Sequence, residues 1–143
     1  MKTIVSKNRL AGFKDACMEF NVSIEDDMIY LDMDSESKIE SAVTDILKKD
    51  IEYIICMDDH ICDCVLGKLE KENVKIQKDI KIASFYDSIL LGNSQAVNIS
   101  LKFNVTELAV ACCNTLLAHI DKKEVPVKTL LGYEVVIRES AQS

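Results

Sequence analysis

Apolar residues recur along this chain with two different periods, and the switches between them mark its elements. From Lys7 to Phe20, the residues Leu10, Phe13, Cys17 and Phe20 fall three and four apart, the spacing of one helix face. Asn21 is a residue type that tolerates the left-handed turn closing such a helix. Met28 to Leu31 is a short apolar run that predicts a strand. Ser37 followed by Glu40 has the form of a capping box and predicts a helix carrying Ile39, Val43, Ile46 and Leu47. Ile51 to Cys56 predicts a second strand, ending at Asp58-Asp59, where Asp59 suits the N-cap of a helix bearing Ile61, Val65, Leu66 and Leu69. That helix stops near Asn73, and Ile80 to Phe85 predicts a third strand ending at Tyr86-Asp87.

The last third continues with a strand over Val97 to Leu101. Asn104 with Glu107 then opens a helix that carries Val105, Leu108, Cys112, Leu116 and Ile120. Pro126 follows a charged turn, and Leu130 to Ile137 predicts a closing strand. Helices alternating with strands read as βαβ units, so the expected fold class is α/β: a three-layer sandwich with a mainly parallel sheet flanked by helices. Only 4 Gly and 1 Pro occur, which calls for short, specific connections, and no repeat or flexible linker interrupts the pattern.

Composition narrows the function classes. A length of 143 residues suits one domain, at most of two lobes, and 48% hydrophobic with 29% charged residues describes a globular chain with a core. The 17 basic and 24 acidic residues give a net charge of −7, a poor basis for neutralising a phosphate backbone, so direct duplex binding is not expected. The longest apolar stretch, around Leu108 to Cys113, is far shorter than a bilayer crossing. The opening residues lack the apolar core and cleavage site of a signal peptide. Six cysteines without such a signal point to free thiols in a reducing compartment, hence to the cytoplasm.

In parallel α/β sheets, ligands gather at the carboxyl ends of strands. Asp58, Asp59, Tyr86 and Asp87 fall at such ends, and a carboxylate there accepts paired hydrogen bonds from the hydroxyls of a sugar or polyol. Arg9 offers complementary donors, and Tyr86 and Phe103 offer faces for an apolar ring. Each has an ordinary reading beside this one. Asp59 is a helix cap by default, Asp58 is left free for a ligand if its neighbour caps, Arg9 is by default a solvated charge, and both rings serve equally well as packing.

Cys56, His60, Cys62 and Cys64 are ligand types crowded into nine residues. No Cys-x-x-Cys pair occurs, and residues two apart on a helix diverge by about 200°, so small buried hydrophobes account for them better than a metal does. No Gly-rich phosphate loop, Gly-x-Ser-x-Gly elbow or His-Glu-x-x-His is present, and nothing brings a Cys to His60 or His119. No enzyme, cofactor or metal is expected.

A family resemblance joins these pieces. Arg9-Leu-Ala-Gly12-Phe13-Lys-Asp-Ala resembles the Arg-x-x-Gly-Phe-x-x-Ala segment of LacI/GalR-type transcriptional regulators. Tyr53 to Leu69 resembles their strand ending in Asn-Asp before a helix, and Asp79-Ile80-Lys-Ile82-Ala-Ser-Phe85-Tyr-Asp87 resembles their Asp-Ile-x-Val-x-Gly-Phe-Asp-Asp. The ending, Leu131 through Val136-Ile137-Arg138-Glu139-Ser140, is similar to their terminal strand and Arg-x-Ser. The likeness runs over nearly the whole chain in order.

It implies a fragment, over 1–143, of an effector-binding domain of the periplasmic-binding-protein type, mostly its C-terminal lobe, with about 102–122 crossing to the N-terminal lobe. The family's helix-turn-helix and most of its first lobe would precede Met1, so DNA would be reached only through a domain outside this sequence. The helix after Phe103 would then need another partner for its apolar face, by self-association or rearranged packing. The resemblance also implies ligand-binding roles for Arg9, Asp58, Tyr86, Asp87 and Phe103, and a helix cap for Asp59. Tyr86 departs from the family's first Asp, exchanging a two-pronged acceptor for a phenol. Ser84, Cys64 and Asn73 replace small or Gly positions. A homodimer face is implied at Asp63, Leu66, Leu90 and Leu91, where core packing within one chain is the other reading.

The function these readings give is sensing of a small, sugar-like effector and dimerisation within a transcriptional regulator, by lobe movement that controls an upstream DNA-binding domain. The other reading is a stand-alone α/β self-association or docking module without ligand.

Overall fold

Residues 3–88, 91 and 96–138 are described by the computed structural model of the chain. The two amphipathic runs in its first half become the helices that build the core. In chain order the elements are α1 (Ile4–Glu19), a 3₁₀ turn (Asp26–Met28), α2 (Glu36–Ile46), β1 (Tyr53–Cys56), α3 (Asp59–Lys71), β2 (Lys81–Ser84), β3 (Ile99–Phe103), α4 (Val105–Ile120) and β4 (Tyr133–Ile137). The four strands form one sheet in the order β1-β2-β3-β4. β1 runs parallel to β2 with Tyr53 opposite Lys81, β2 parallel to β3, and β3 antiparallel to β4 with Ile99 opposite Ile137. The fold is thus α/β with a mainly parallel sheet flanked by helices.

Ile39, Val43 and Ile46 of α2 meet Cys62, Val65 and Leu69 of α3 over Ile54, Cys56 and Ile82 of the sheet. Burying each of the larger side chains is worth about 1.5–3 kcal/mol, which makes this α2–α3 layer the anchor of the fold. Asn98 stitches β2 to the approach of β3. Its Oδ1 accepts from the Ile82 amide at 2.8 Å, and its own amide donates to the Ile82 carbonyl at 2.8 Å. Asn21 and Asn73 adopt φ of 54° and 56°, the left-handed stops expected for them. Asn104 caps α4 as its sequence indicates, its side chain accepting from the Glu107 amide at 3.0 Å.

Four expectations are corrected. Met28 to Leu31 is no strand: Met28 closes the 3₁₀ turn and the next residues belong to no sheet. A strand exists only with a partner, and the sheet ends at β1 without reaching this segment. The capping box of Ser37 and Glu40 does not form, because the helix already starts at Glu36 with Ser35 as N-cap. Glu40 is instead drawn to Lys71 of α3, at 2.8 Å, where it meets a full opposite charge. Asp58, not Asp59, caps α3, accepting from the Ile61 amide at 2.8 Å. α1 starts earlier than its apolar spacing implies, because Thr3 caps it through the Ser6 amide at 3.1 Å.

The second half differs from the first. α4 buries none of its residues, and neither does α1. On α4, Val105, Leu108, Leu116 and Ile120 are all exposed, so the apolar face read from the sequence lies open on this chain.

Candidate functional site

The carboxyl ends of β1 and β2 carry the residues singled out from the sequence. Arg9 points from the second turn of α1 to this edge. Its guanidinium donates to the Met57 carbonyl just past β1 and lies 5.7 Å from the centre of the Phe85 ring just past β2. A guanidinium over an aromatic face is held by charge–quadrupole attraction while its remaining N–H groups stay available. One residue on, Tyr86 lies against Phe103 at the end of β3, their ring centres 5.7 Å apart and the planes tilted by 34°. Arg9, Tyr86 and Phe103 are therefore brought to one end of the sheet by three different elements.

The carboxylates are placed differently. Asp58 sits at this end but spends an oxygen on the α3 cap, and Asp59 lies in the first turn, accepting from the His60 amide at 3.0 Å. Leaving Asp58 free for a ligand because its neighbour capped the helix is thus corrected. Asp87 turns toward β4. Its Oδ1 accepts from Arg138 Nη2 at 2.7 Å and from the Ser100 hydroxyl at 2.8 Å, while Arg138 Nη1 donates to that hydroxyl at 2.8 Å. With 10% and 18% of their side chains exposed, Asp87 and Arg138 form a mostly desolvated pair. Burial works to raise the Asp87 pKa, but the hydrogen bonds from Arg138 and Ser100 and the guanidinium charge outweigh it, leaving the carboxyl below its ordinary value. The oxygen the resemblance assigns to a ligand is already engaged.

Phe85, Ser100 and the Met57 carbonyl are the site members that sequence reasoning missed. Ser100 sits buried in β3, and nothing in its local spacing marks it out. Arg138 is visible in the resemblance at the terminal strand, but its pairing with Asp87, 51 residues away, is a product of the sheet order.

The cysteine cluster lies away from this edge's polar groups. Cys56 and Cys62 are buried neighbours, and the hydrogen bond from Cys62, together with burial, pushes the Cys56 thiol well above its ordinary range. Burial first, then nearby acidic groups, pushes the Cys64 thiol up as well. Such thiols stay protonated at neutral pH and are weak ligands and nucleophiles. Among the described residues, no three or more His, Cys, Asp or Glu side chains are grouped to hold a metal.

Of the residues assigned to a dimer face, Asp63 is exposed on α3 and Leu66 is half-buried against the core. Leu91 is 0% exposed and belongs to the core, so packing within one chain accounts for it and a partner does not. Leu90 lies outside the described residues. No helix among the described residues is long and apolar enough to cross a membrane.

Comparison with known proteins agrees with this geometry. Residues 3–141 match the periplasmic binding protein-like domain. The transcriptional regulator RegA of Clostridium saccharobutylicum is 22% identical over 139 residues, covering 93% of this chain and 41% of that protein. The transcriptional regulator GalR of Escherichia coli K12 is 20% identical over 140 residues, with 96% and 41% covered. The solved transcription regulator CcpA of Lactococcus lactis superposes with a TM-score of 0.84 at 18% identity, covering 98% of this chain and 52% of that one. The chain spans about half the length of these relatives or less. By fold, by the domain match over nearly all its residues and by the regulators it aligns with, the chain belongs to the periplasmic binding protein-like domain family of LacI/GalR-type transcriptional regulators.

Proposed function

We propose that this chain is the effector-sensing part of a LacI/GalR-type transcriptional regulator. It corresponds mostly to the C-terminal lobe, with about 102–122 belonging to the crossover toward a second lobe. The reading rests on one observation: Arg9 is held over the strand ends by the Met57 carbonyl and the Phe85 ring, beside the Tyr86–Phe103 pair. A fixed fork of donors next to aromatic faces suits a small polar ring such as a sugar, whose hydroxyls take the N–H groups and whose C–H face takes the rings. Asp58 stays among the candidate contacts through its second oxygen. Asp87 acts by fixing the β3–β4 end of the site through Arg138 rather than by gripping a ligand. Closure of a second lobe on the bound ligand would change the angle between lobes, and an attached DNA-binding domain would read that change.

A single lobe leaves much of a ligand in water, so its affinity is weak and the test must detect weak binding. Amide chemical-shift mapping of this chain against a panel of mono- and disaccharides is expected to perturb Arg9, Phe85, Tyr86 and Phe103 together. Arg9→Gln is expected to remove that response with the spectrum otherwise intact. No clustered perturbation with any sugar, with shifts on α4 as protein concentration rises, would favour a self-association module without ligand. The exposed apolar residues of α4 are the observation behind that second reading.

A further inference from the structure

β1 is the edge of the sheet, yet it lacks the features of a protected edge. The Lys81 amide donates to Glu52 O and the Phe85 amide to Cys56 O, so the even-numbered residues of β1 face β2. The alternation of a parallel ladder then directs the backbone groups of Tyr53, Ile55 and Met57 to the other side, where no strand pairs among the described residues. Tyr53 and Ile55 are 61% and 42% exposed, and neither proline nor a bulge blocks the edge.

Beside this edge lies a cavity of about 580 Å³, walled by Leu10 and Phe13 of α1, by Tyr53 and Ile55, and on the far side by Tyr30 and Leu31. From rise, strand spacing and sheet spacing, one strand residue fills roughly 160 Å³. The cavity therefore holds between three and four residues of strand, close to the four of β1 itself. The far wall is the segment whose sequence predicts a strand but which pairs with nothing. It is anchored from behind, by the Tyr30 hydroxyl donating to Asp45 at 2.6 Å and by Lys49 donating to the Asp27 carbonyl at 2.8 Å. α1, which covers the cavity, buries no residue. The unpaired segment, the unburied helix and the cavity have one common explanation, a strand's width of missing backbone.

Direction identifies the source. Arg9, in α1, bonds Met57 at the carboxyl end of β1, and Ser6 lines the cavity, so α1 starts at the end where parallel strands finish. β1 passes into α3 at that same end. A strand filling the slot parallel to β1 would finish beside Thr3 and complete a strand–α1–strand unit with residues 29–31. A second copy of this chain does not fit, because its own sheet edge carries helices and the gap between α1 and the far wall admits one strand.

We propose that the slot beside β1 is a β-augmentation site for one extended apolar segment of about four residues, parallel to β1 and leading directly into Thr3 in a longer form of the polypeptide. The inference does not depend on the effector reading.

Hydrogen exchange tests it on two chains: the 143-residue chain, and the same chain with four alternating Val and Ile residues and a two-residue turn ahead of Thr3. In the first, the Tyr53 and Ile55 amides are expected to exchange at least tenfold faster than those of Ile54 and Cys56. Protection of all four alike, independent of concentration, would mean a closed edge and overturn the proposal without any extension. In the extended chain, Tyr53, Ile55 and Ile29 to Leu31 are expected to gain at least tenfold in protection. Leu31→Pro, which removes a ladder amide from the far wall, should cancel the gain at Ile29 to Leu31. An extended chain that keeps the protection of α2 and α3 but gains none at the slot overturns the proposal. So does protection of Tyr53 and Ile55 that rises with protein concentration, or that a free peptide confers and the tethered one does not.

Discussion

Asp58 and Asp59 are adjacent, identical in chemistry and unequal in task. Asp58 closes the first turn of α3 through the Ile61 amide, while Asp59 bonds only its neighbour's amide. Asp58→Ala is accordingly expected to cost about 1 kcal/mol in a urea unfolding curve, and Asp59→Ala less than about 0.5 kcal/mol. Asp87 and Arg138 carry more. Removing one member of a largely desolvated pair strands the other, so Arg138→Ala is expected to cost about 3 kcal/mol. Because the Asp87 carboxyl lies below its ordinary value in the folded chain, its contribution is present above the unfolded value, about 3.9, and is lost as pH falls through the folded one. Unfolding curves between pH 5 and pH 2 are expected to steepen in the native chain relative to Arg138→Ala; parallel curves would contradict the pairing. At this scale the sequence shows which residues carry charge, but not whom they meet: the same pattern that marks Asp87 as a ligand contact leaves Arg138 and Ser100 unnoticed.

Among the elements, α2 and α3 are matched to each other and α1 and α4 are not. The inward faces of α2 and α3 are fully used, whereas α1 and α4 bury no residue. Native-state hydrogen exchange is expected to protect α2 and α3 amides at least tenfold more than those of α1, since a helix without tertiary packing opens at little cost. On α4, Leu116 and Ile120 lie on one exposed face with Cys112 and Leu108. Such a surface is larger than a monomer ordinarily keeps in water. Sedimentation velocity is expected to show association as concentration rises, and Leu116→Lys with Ile120→Lys to abolish it without changing the circular dichroism. The helices and three of the four central strands are legible from spacing because local periodicity reports them directly. The Met28 to Leu31 strand is not, because the same apolar run is a strand only when a neighbour offers its edge.

For the molecule as a whole, stability rests on a one-sided core. Leu69 is fully buried between α3 and α2, and Leu69→Ala is expected to cost about 3 kcal/mol, the usual range for a large-to-small change in a tight core. A loss under about 1 kcal/mol in chemical denaturation would show that the α2–α3 layer is not the anchor. The β3–β4 end, by contrast, is tied mainly by its ladder and by Arg138, which donates to Asp87 and Ser100. The candidate site lies where these two unequal halves meet, at the strand ends, and takes residues from both: Arg9 and Phe85 from the packed half, Phe103 from the open one.

Periodicity, helix stops and a spread of short motifs in order were sufficient, within the sequence, to determine the α/β class, the family and the end of the sheet that carries Arg9, Tyr86 and Phe103. These are local or ordered features, and each is written in a few adjacent residues. The tertiary structure alone decided that Asp58 caps α3, that Asp87 belongs to Arg138, that Leu91 is core, and that Met28 to Leu31 stands apart from the sheet across a strand-wide gap. The reason is physical: a carboxylate, a leucine or an apolar run has several acceptable partners, and which it takes depends on what the fold places beside it.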